Sequence, residues 1–409
     1  MNERYFGKQT ITFAVGIIFR NFTMAGIYIH IPFCRKICHY CDFYRTAGSM
    51  DADAYIDALE KEMELRCGYL QEETIETIYF GGGTPSVMEA GHLQRILQLI
   101  SRYHLPDKDC EITLEANPDD LSDEYLKSLR ENTPVNRLSI GIQSFHDRDL
   151  SLMNRRHTAQ EACQSIERVL KQGFTNISAD LIYGIPGSSL ADLDYNLDRL
   201  SEFDIPHLSA YHLTLEPGTV FFKKAAKGMI PPVSEEESLL QFSTIIRRLN
   251  QEGFVHYEIS NWAKDGFLSR HNTHYWKRKP YLGLGPSAHS YNIVSRQWNV
   301  ASLKQYLQAL KDGTPFYETE VLTDTMRYNE FLLTSLRTMW GADLKEIRRD
   351  FGPDLQAALM KGCEPYIRSG HMIRNVDTIT LSDTGYFISD AIVRDLMEGE
   401  EVNGKRGKR

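Results

Sequence analysis

The hydrophobic and polar positions between Ile27 and about residue 217 follow one repeated pattern. A short run rich in β-branched and aromatic residues ends in polar or glycine residues, and an amphipathic stretch follows it. Strands that alternate with helices at a spacing of about 30 residues indicate βαβ units and a parallel sheet. The strand candidates are "IYIHIPF", "TIYFGGG", "EITLEAN", "RLSIGIQSF", "ISADLIYGIP" and "LSAYHLTLEP".

The stretches between these strands have helical periodicity, as in "DAYIDALEKEMELRC", "GHLQRILQLISRY" and "AQEACQSIERVLKQG". In the first, Tyr55, Leu59, Met63 and Cys67 are spaced to lie on one face of a helix. Six strand–helix units are fewer than the roughly eight of a closed barrel, so we expect an open, three-quarter barrel. In barrels the chemistry lies at the carboxyl ends of the strands, and polar residues cluster there in this chain.

The remainder of the chain has a different pattern. Residues 235–300 predict one helix, a strand "GFVHYEIS" and an irregular, aromatic-rich stretch that ends in "SAHSYN". A linker near 312–315 separates a second region. Helices are predicted for "RYNEFLLTSLRT", "LKEIRRDFG" and "LQAALMKG", a hairpin is predicted for "MIRNVDTITLSDTGYFISD", and a last helix follows the hairpin. Three helices and a hairpin indicate a winged-helix-like module. Because the chain is acidic overall, we expect this module to be a packing or lid domain rather than one that binds nucleic acid.

These patterns divide the chain into a barrel domain with its extension at 24–300, a second domain at 315–397 and a disordered tail at 398–409. The first 23 residues contain the apolar run "ITFAVGIIF", which is too short for a transmembrane helix and lacks a small-residue cleavage site. "MAGIYIHIPF" begins at Met24 and leads directly into a strand. We therefore expect residues 1–23 to come from a mis-called start or to be disordered, which mass spectrometry of the native N-terminus would decide.

Composition narrows the class of protein. With 42% hydrophobic and 25% charged residues the chain is typical of soluble globular proteins. A net charge of −9 argues against bulk binding to nucleic acid. Seven cysteines, three of them clustered, do not form a disulfide framework, so a reducing cytoplasm is expected.

The clustered cysteines are Cys34, Cys38 and Cys41 in "HIPFCRKICHYCDFYR". Four thiolates would close a metal site, but the position two residues after Cys41 is Phe43. Three cysteines with His39 could bind zinc. Alternatively, three thiolates could hold three irons of a [4Fe–4S] cluster and leave the fourth iron open to a small molecule, whereas electron-carrying clusters use four cysteines. A barrel mouth lined with polar groups favours the cluster.

"CRKICHYC" resembles the signature of the radical S-adenosylmethionine (SAM) superfamily. "YIHIPFC", "GGGTPS", "EANPDDL", "IGIQSF", "NRRH" and "DLIYGIPG" resemble its coproporphyrinogen-oxidase-like branch, in order along the chain from Met24. The resemblance implies an open partial (β/α)6 barrel of radical SAM type, with a C-terminal helical, winged-helix-like domain. It also implies a [4Fe–4S] cluster and SAM as cofactors, with SAM completing the open iron.

The resemblance implies SAM contacts from Tyr28, Tyr40, Glu115, Gln143, Arg155 and Asp180. We expect the last four to lie at or just beyond a strand end. Gly82, Gly83 and Thr84 follow the second strand, where bare backbone could approach SAM closely and donate N–H groups. Taken singly, each of these residues could instead be a solvated carboxylate, an amide cap, a surface arginine or part of a plain tight turn.

Two activities within this branch must be separated. The oxygen-independent coproporphyrinogen III oxidase carries a further cysteine where this chain has Phe43, and a longer segment before its loop. The HemW-like haem chaperone branch has "CDF" and a motif H-N-x-x-Y-W, matched here by His271, Asn272, Tyr275 and Trp276. Haem iron accepts a histidine ligand and the porphyrin needs aromatic walls. His274 is a second candidate ligand, and a helix cap with core aromatics is the structural alternative.

The sequence therefore predicts a haem chaperone on a radical SAM scaffold, with haem and an apo-haemoprotein acceptor as partners. The oxidase is the alternative, and a zinc-stabilised winged-helix regulator a remote one. The sequence leaves open whether the protein contacts a membrane peripherally, whether haem is attached covalently, whether SAM is cleaved during transfer, and whether the protein is a monomer or a dimer.

Overall fold

The computed structural model describes residues 24–48, 51–71 and 73–399. The expectations for residues 1–23, and for all but the first two residues of the tail, lie outside this part of the chain. The boundary expected between the two domains stays a prediction. Within the described residues, no helix has the length and apolar character needed to cross a membrane.

Seventeen strands are present in the described residues. They are β1 Met24–Ile31, β2 Phe33–Cys34, β3 Thr46–Ala47, β4 Thr74–Gly82, β5 Leu105–Ala116, β6 Arg137–Gln143, β7 Ile177–Tyr183, β8 His207–His212, β9 Val255–Glu258, β10 Asn261–Ala263, β11 Tyr281–Leu284, β12 His289–Tyr291, β13 Ser295–Asn299, β14 Tyr317–Val321, β15 Ala342–Asp343, β16 Met372–Arg374 and β17 Thr378–Leu381.

Fifteen α-helices accompany them in the same part of the chain. They are α1 Ala52–Arg66, α2 Ala90–Tyr103, α3 Asp123–Asn132, α4 Asp147–Leu152, α5 Ala159–Lys171, α6 Leu190–Ser201, α7 Val220–Ala226, α8 Glu235–Gln251, α9 Arg270–Trp276, α10 Leu303–Asp312, α11 Asp324–Leu336, α12 Leu344–Phe351, α13 Pro353–Arg368, α14 Asp383–Phe387 and α15 Ser389–Leu396.

All six predicted strands of the repeat are present and pair in parallel in the order β1-β4-β5-β6-β7-β8. The sheet runs as an open series of twelve strands, with β11 parallel to β1 at one side and β10 antiparallel to β8 at the other. The prediction of an open parallel barrel is confirmed. The prediction of an irregular stretch from residue 261 to residue 292 is wrong, because helix α9 and short strands of three or four residues form there, and the strands extend the sheet.

Side chains alternate between the two faces of the parallel strands, as the two-residue period of a strand requires. On β6, Leu138, Ile140 and Ile142 belong to the hydrophobic core between the sheet and its surrounding helices. The opposite face of the same strand carries Arg137 and Ser139 and lines the interior of the barrel. The core therefore lies outside the curved sheet, and the space inside it is lined by polar and aromatic side chains.

The C-terminal region has the predicted winged-helix-like content. Helices α11, α12 and α13 precede a small sheet in the order β15-β17-β16. The hairpin is shorter than the sequence pattern predicts. Its second strand, β17, ends at Leu381 because the next residue, Ser382, caps helix α14. Arg278 joins the region to the barrel by donating to the hydroxyls of Thr334 and Ser335 and by pairing with Glu346 at 2.8 Å.

A buried ion pair attaches the sheet extension to the barrel. Glu62 and Arg66 lie one turn apart on α1 and pair at 3.0 Å with both side chains almost fully buried. Glu62 also accepts from the backbone N–H of Gly285 and from the Nδ2 of Asn299. Arg66 donates to the Gly283 carbonyl. Every polar atom of the carboxylate is thus satisfied by the extension.

We expect Glu62→Ala to lower the free energy of unfolding by about 3–5 kcal/mol, because it leaves the Arg66 guanidinium buried without its counter-charge. Urea denaturation followed by circular dichroism measures this. Glu64→Ala on the same helix is the matched control, since Glu64 pairs only with Lys61 at the surface and its loss should have little effect. Equal stability of the two variants would contradict a stabilising role for the buried Glu62–Arg66 ion pair.

Candidate functional site

A cavity of about 780 Å³ occupies the interior of the open barrel. Its walls come from the inward-facing positions of the parallel strands, and further residues from β11–β13 and α11 close one side. The strand residues that line it include Tyr28, His30, Tyr79, Thr113, Glu115, Arg137, Ser139, Ser178, His207, Ser209 and Tyr211. A concave space with convergent polar groups is the usual form of a ligand site.

The three-cysteine loop lies at the carboxyl end of β1, over one opening of this cavity, and its residues Asp42, Phe43 and Tyr44 line the opening. Its middle is fixed to the end of α4 by the backbone N–H of His39, which donates to the Met153 carbonyl at 3.0 Å. The His39 Nδ1 donates to the Leu152 carbonyl at 2.9 Å. The loop is therefore held in place by neighbouring elements.

Side-chain hydrogen-bond donors reach two of the three sulfurs. Thr84 Oγ1 donates to Cys34 Sγ at 3.4 Å, and Arg155 Nη1 donates to Cys38 Sγ at 3.4 Å. Burial raises the pKa of the Cys34 thiol and raises that of Cys41 to about 11, so protons must leave when metal binds. Donors to sulfur are a usual feature of iron–sulfur sites. The donor set fits a cluster held by three thiolates.

The zinc alternative has no support in this geometry. Within the described ranges, no group of three or more histidine, cysteine, aspartate or glutamate side chains is arranged to hold a single metal ion. The side chain of His39 is bonded to Leu152 and faces the ring of Phe221, with 6.0 Å between the ring centroids.

The glycine run after β4 brings two strand ends into close contact. Gly82 has φ +110°, and a Cβ on it would lie 2.6 Å from the His30 ring. A Cβ on Gly83 would lie 2.8 Å from the carbonyl oxygens of Ile31 and Phe33. Any larger residue would separate β4 from the strand that carries the cysteines.

The three backbone N–H groups of this run are already bonded within the protein. Gly82 donates to Glu115 Oε2 at 3.2 Å, Gly83 to the Ile31 carbonyl and Thr84 to the Phe33 carbonyl. The bonds of Gly83 and Thr84 hold the start of the cysteine loop against the end of β4. The assignment of Gly82, Gly83 and Thr84 to SAM stays a prediction.

Two carboxyl groups on the parallel strands are buried and hydrogen-bonded, Glu115 near the end of β5 and Asp180 in the middle of β7 rather than at the strand end that the sequence predicts. Glu115 accepts from Tyr79 Oη at 2.8 Å, and burial raises its pKa to about 7. Asp180 accepts from the hydroxyls of Ser139 and Ser178, and burial raises its pKa to about 6. Both carboxyls therefore change charge near neutral pH.

Arg155 links the cysteine loop to two strand ends. Its Nη2 donates to Asn117 Oδ1 at 2.7 Å and to the Gly141 carbonyl at 2.6 Å, while its Nη1 faces Cys38 and the Tyr40 hydroxyl. Gln143 lies beside Arg155, because a Cβ on Gly141 would be 2.8 Å from the Gln143 Nε2 and 3.1 Å from the Arg155 Nη2. The backbone of Gln143 is left-handed, with φ +69°. A left-handed conformation at a residue other than glycine is uncommon and occurs often at functional sites.

The structure brings only part of the expected SAM set to the cavity wall. Tyr28, Gly82 and Glu115 line the cavity. Thr84 and Arg155 contact the cysteine sulfurs instead, and Asp180 lies behind Ser139 and Ser178, which do line the cavity. The assignment of these residues to SAM stays a prediction.

The H-N-x-x-Y-W motif forms helix α9 rather than a loop, and it closes the cavity at the amino ends of the strands. The backbone N–H groups of Arg270 and His271 donate to the Glu111 carboxylate, which caps the helix. His274 donates to Glu76 at 2.7 Å. Burial of the Glu76 carboxyl acts to raise its pKa, but hydrogen bonds from Lys279 and Arg270 outweigh burial and lower the pKa to about 2.

His271 itself is 1% exposed and uses both ring nitrogens. Nδ1 is 2.8 Å from Thr77 Oγ1, and Nε2 is 2.9 Å from the Tyr275 hydroxyl. His271, Asn272 and Tyr275 line the cavity, whereas Trp276 does not. The haem assignment of this motif stays a prediction, and the geometry also fits its structural alternative.

Sequence reasoning missed most of the polar wall. Ser139, Ser178, Ser209, Arg137 and His207 line the cavity, and none was a sequence candidate. A usable signal was present, because Ser178 lies two positions from Asp180 on the same strand and therefore on the same face. Ser209 and Ser139 depend on strand register, with Ser209 opposite Asp180 and Ser139 opposite Glu115.

Comparison with known proteins places the chain in a family. The model of the radical SAM superfamily matches residues 28–200, and that of the HemN C-terminal domain matches residues 322–388. Among solved structures, coproporphyrinogen III oxidase (HemN) from Escherichia coli has a TM-score of 0.79 at 24% identity, covering 91% of this chain and 90% of that one. This likeness shows the fold.

Relatives with higher identity cover almost the whole chain. The heme chaperone HemW of Bacillus subtilis is 34% identical over 372 residues, which cover 90% of this chain and 98% of that protein. The heme chaperone HemW of Mycobacterium tuberculosis (strain H37Rv) is 33% identical over 377 residues, which cover 91% and 94%. Similarity of this extent shows that the chain belongs to the HemW family within the radical SAM superfamily.

Proposed function

We propose that this protein is a haem chaperone that carries haem in the barrel cavity beside a SAM-binding [4Fe–4S] cluster and passes haem to an apo-haemoprotein. The observation that carries the proposal is the continuity of one cavity between the cysteine loop at one end and α9 at the other. The relatives that match nearly the whole chain are named as heme chaperones, which supports the same conclusion.

Cys34, Cys38 and Cys41 would hold the cluster. A [4Fe–4S] cluster with SAM supplies an electron at low potential for SAM chemistry. The protein's own part is positional: Arg155 fixes Cys38 relative to the ends of β5 and β6, and the glycine run fixes the loop against β4. Glu115 lines the cavity and, once ionised, provides a hydrogen-bond acceptor for a cationic, hydroxyl-bearing molecule such as SAM.

The cavity also has the features that haem requires. A porphyrin needs aromatic walls, which Tyr28, Tyr79 and Tyr281 supply, and cations for its propionates, which Arg278 and Arg296 supply. Phe43 is 64% exposed at the opening, where the oxidase carries a further cysteine. An exposed aromatic at this place provides an apolar edge to the opening and no additional thiolate.

We expect Cys38→Ala to lose most of the iron that the wild-type protein binds after anaerobic reconstitution, about four atoms per chain. Iron and sulfide analysis, together with electron paramagnetic resonance (EPR) after reduction, measures this. The exposed Cys67 provides the control, and Cys67→Ala should keep the wild-type content. Equal iron content in the two variants would refute the assignment of the loop.

SAM affinity should depend on the charge of Glu115. Its pKa of about 7 means that the carboxyl is mostly protonated at lower pH and mostly ionised at higher pH. Because SAM favours the ionised acceptor, we expect its affinity to rise about tenfold from about pH 6 to about pH 8. Calorimetry on cluster-loaded protein measures this rise.

Glu115→Gln should remove most of this pH dependence, whereas Glu124→Gln, at an exposed carboxylate on α3, should preserve it. The same pH profile in wild-type protein and Glu115→Gln would show that Glu115 does not contact SAM.

The chaperone proposal itself predicts one haem per chain and transfer without porphyrin chemistry. Haemin titration followed by the Soret absorbance gives the stoichiometry, and mixing with apomyoglobin as a generic acceptor tests transfer. Conversion of coproporphyrinogen III in the presence of SAM, without stoichiometric haem binding, would instead support the oxidase.

A further inference from the structure

Four histidines line the cavity, but they differ in the state of their ring nitrogens. His30 accepts from the Tyr28 hydroxyl through Nδ1 and donates to the Tyr44 carbonyl through Nε2. His207 is bonded to Ser178 at 2.7 Å and to the Tyr257 hydroxyl at 2.8 Å. With His271 bonded to Thr77 and Tyr275, three of the four rings have no nitrogen lone pair or N–H left for a ligand.

His289 is the exception. It lies at the start of β12 and is exposed to the cavity and to solvent. Neither of its ring nitrogens has a hydrogen-bond partner among the described residues. The ring lies beside Trp298, its partner across the β12–β13 pair, with 6.4 Å between the centroids. Partial burial and the charge of Arg296 lower the pKa of His289, which favours the neutral imidazole that metal ligation requires.

Using one of the other histidines as a ligand would break existing bonds. If His271 turned to a haem iron, the hydroxyls of Thr77 and Tyr275 would each lose a partner in a buried environment. A buried polar group without a partner is costly, so this exchange is unfavourable. His289 can donate a lone pair with no such loss.

Cationic groups lie on the same side of the cavity as His289. Arg296 is on β13, the strand that pairs with β12, and Arg278 follows α9. Both line the cavity. Their carboxylate partners are Glu330 and Glu320 for Arg296 and Glu346 for Arg278. A guanidinium can bind a propionate in two parallel hydrogen bonds, so this side can anchor the charged edge of a porphyrin.

We propose that His289, not His271, would supply a nitrogen ligand to the haem iron, and that Arg296 on the neighbouring strand would bind a haem propionate. His271 then serves as part of the helix that closes the cavity at the amino ends of the strands. This inference rests on the proposed function, because it concerns the haem that the chaperone would carry.

The test is haem binding by the full-length, cluster-loaded protein, read by Soret absorbance and by EPR of the ferric haem. The variants are His289→Ala, His289→Gln and His271→Gln, with His371→Ala as the control. His371 lies on the C-terminal domain, bonds to Ser369 and does not line the cavity. Circular dichroism establishes that each variant is folded.

We expect both His289 variants to lose the histidine-ligated ferric signal and to bind haem at least about tenfold more weakly. Mutation of a residue that only hydrogen-bonds to a metal ligand already lowers metal affinity by about tenfold or more, so loss of the ligand itself should lower it at least as far. Added imidazole should restore the ligated signal in His289→Ala, which a purely structural role would not allow. His271→Gln should keep the histidine-ligated ferric signal, and the control His371→Ala should keep both the wild-type spectrum and the wild-type affinity.

A wild-type spectrum in both His289 variants would overturn the inference, as would loss of the signal in a folded His271→Gln protein. Wild-type protein that binds no haem would overturn the proposed function together with the inference. The two failures are distinct, because only the second changes the wild-type titration.

Discussion

The two-residue period of the parallel strands is the constraint on which the site depends. Each strand directs apolar side chains outward, where they pack against helices, and polar side chains inward. In closed barrels the interior is filled by large aliphatic side chains. Here serines, carboxylates, histidines and tyrosines take those positions, and the sheet stays open. The interior is consequently a polar cavity that can admit a ligand.

The remaining elements close this cavity on its open sides. Helix α9 closes the amino end through the Glu111 cap and the Glu76–His274 pair. The buried Glu62–Arg66 pair on α1 fixes β11–β13, which extend the wall. Helix α11 contributes Glu330 and Thr334 to the same cavity, so the C-terminal domain forms part of its wall. This is more specific than the packing or lid role that the sequence predicts.

Sequence reasoning succeeded where the chemistry is local in the chain. The three cysteines lie within eight residues, and the order of the strands follows from the repeated alternation of strands and helices. It failed where a residue's role depends on distant partners. Thr77 lies 194 positions from His271, and no local pattern reveals that the two are bonded. The short strands after residue 260 were missed because they take their stability from pairing within the larger sheet.

The same limit applies to the glycine run. Its small residues indicate close backbone approach, which is correct, but the group approached is the cysteine-bearing strand. The N–H groups of Gly82, Gly83 and Thr84 all have hydrogen-bond partners within the protein. What the run contributes to the site is the position of the loop, and with it the position of the sulfurs.

In the proposed function, the cluster-bound SAM and the haem share one cavity. The most direct test is a haem titration of cluster-loaded protein with and without saturating SAM. Shared occupancy predicts that the haem dissociation constant changes when SAM is present and that haem changes the SAM dissociation constant by the same factor. Identical haem affinity in the two titrations, with one haem bound in each, would contradict the account.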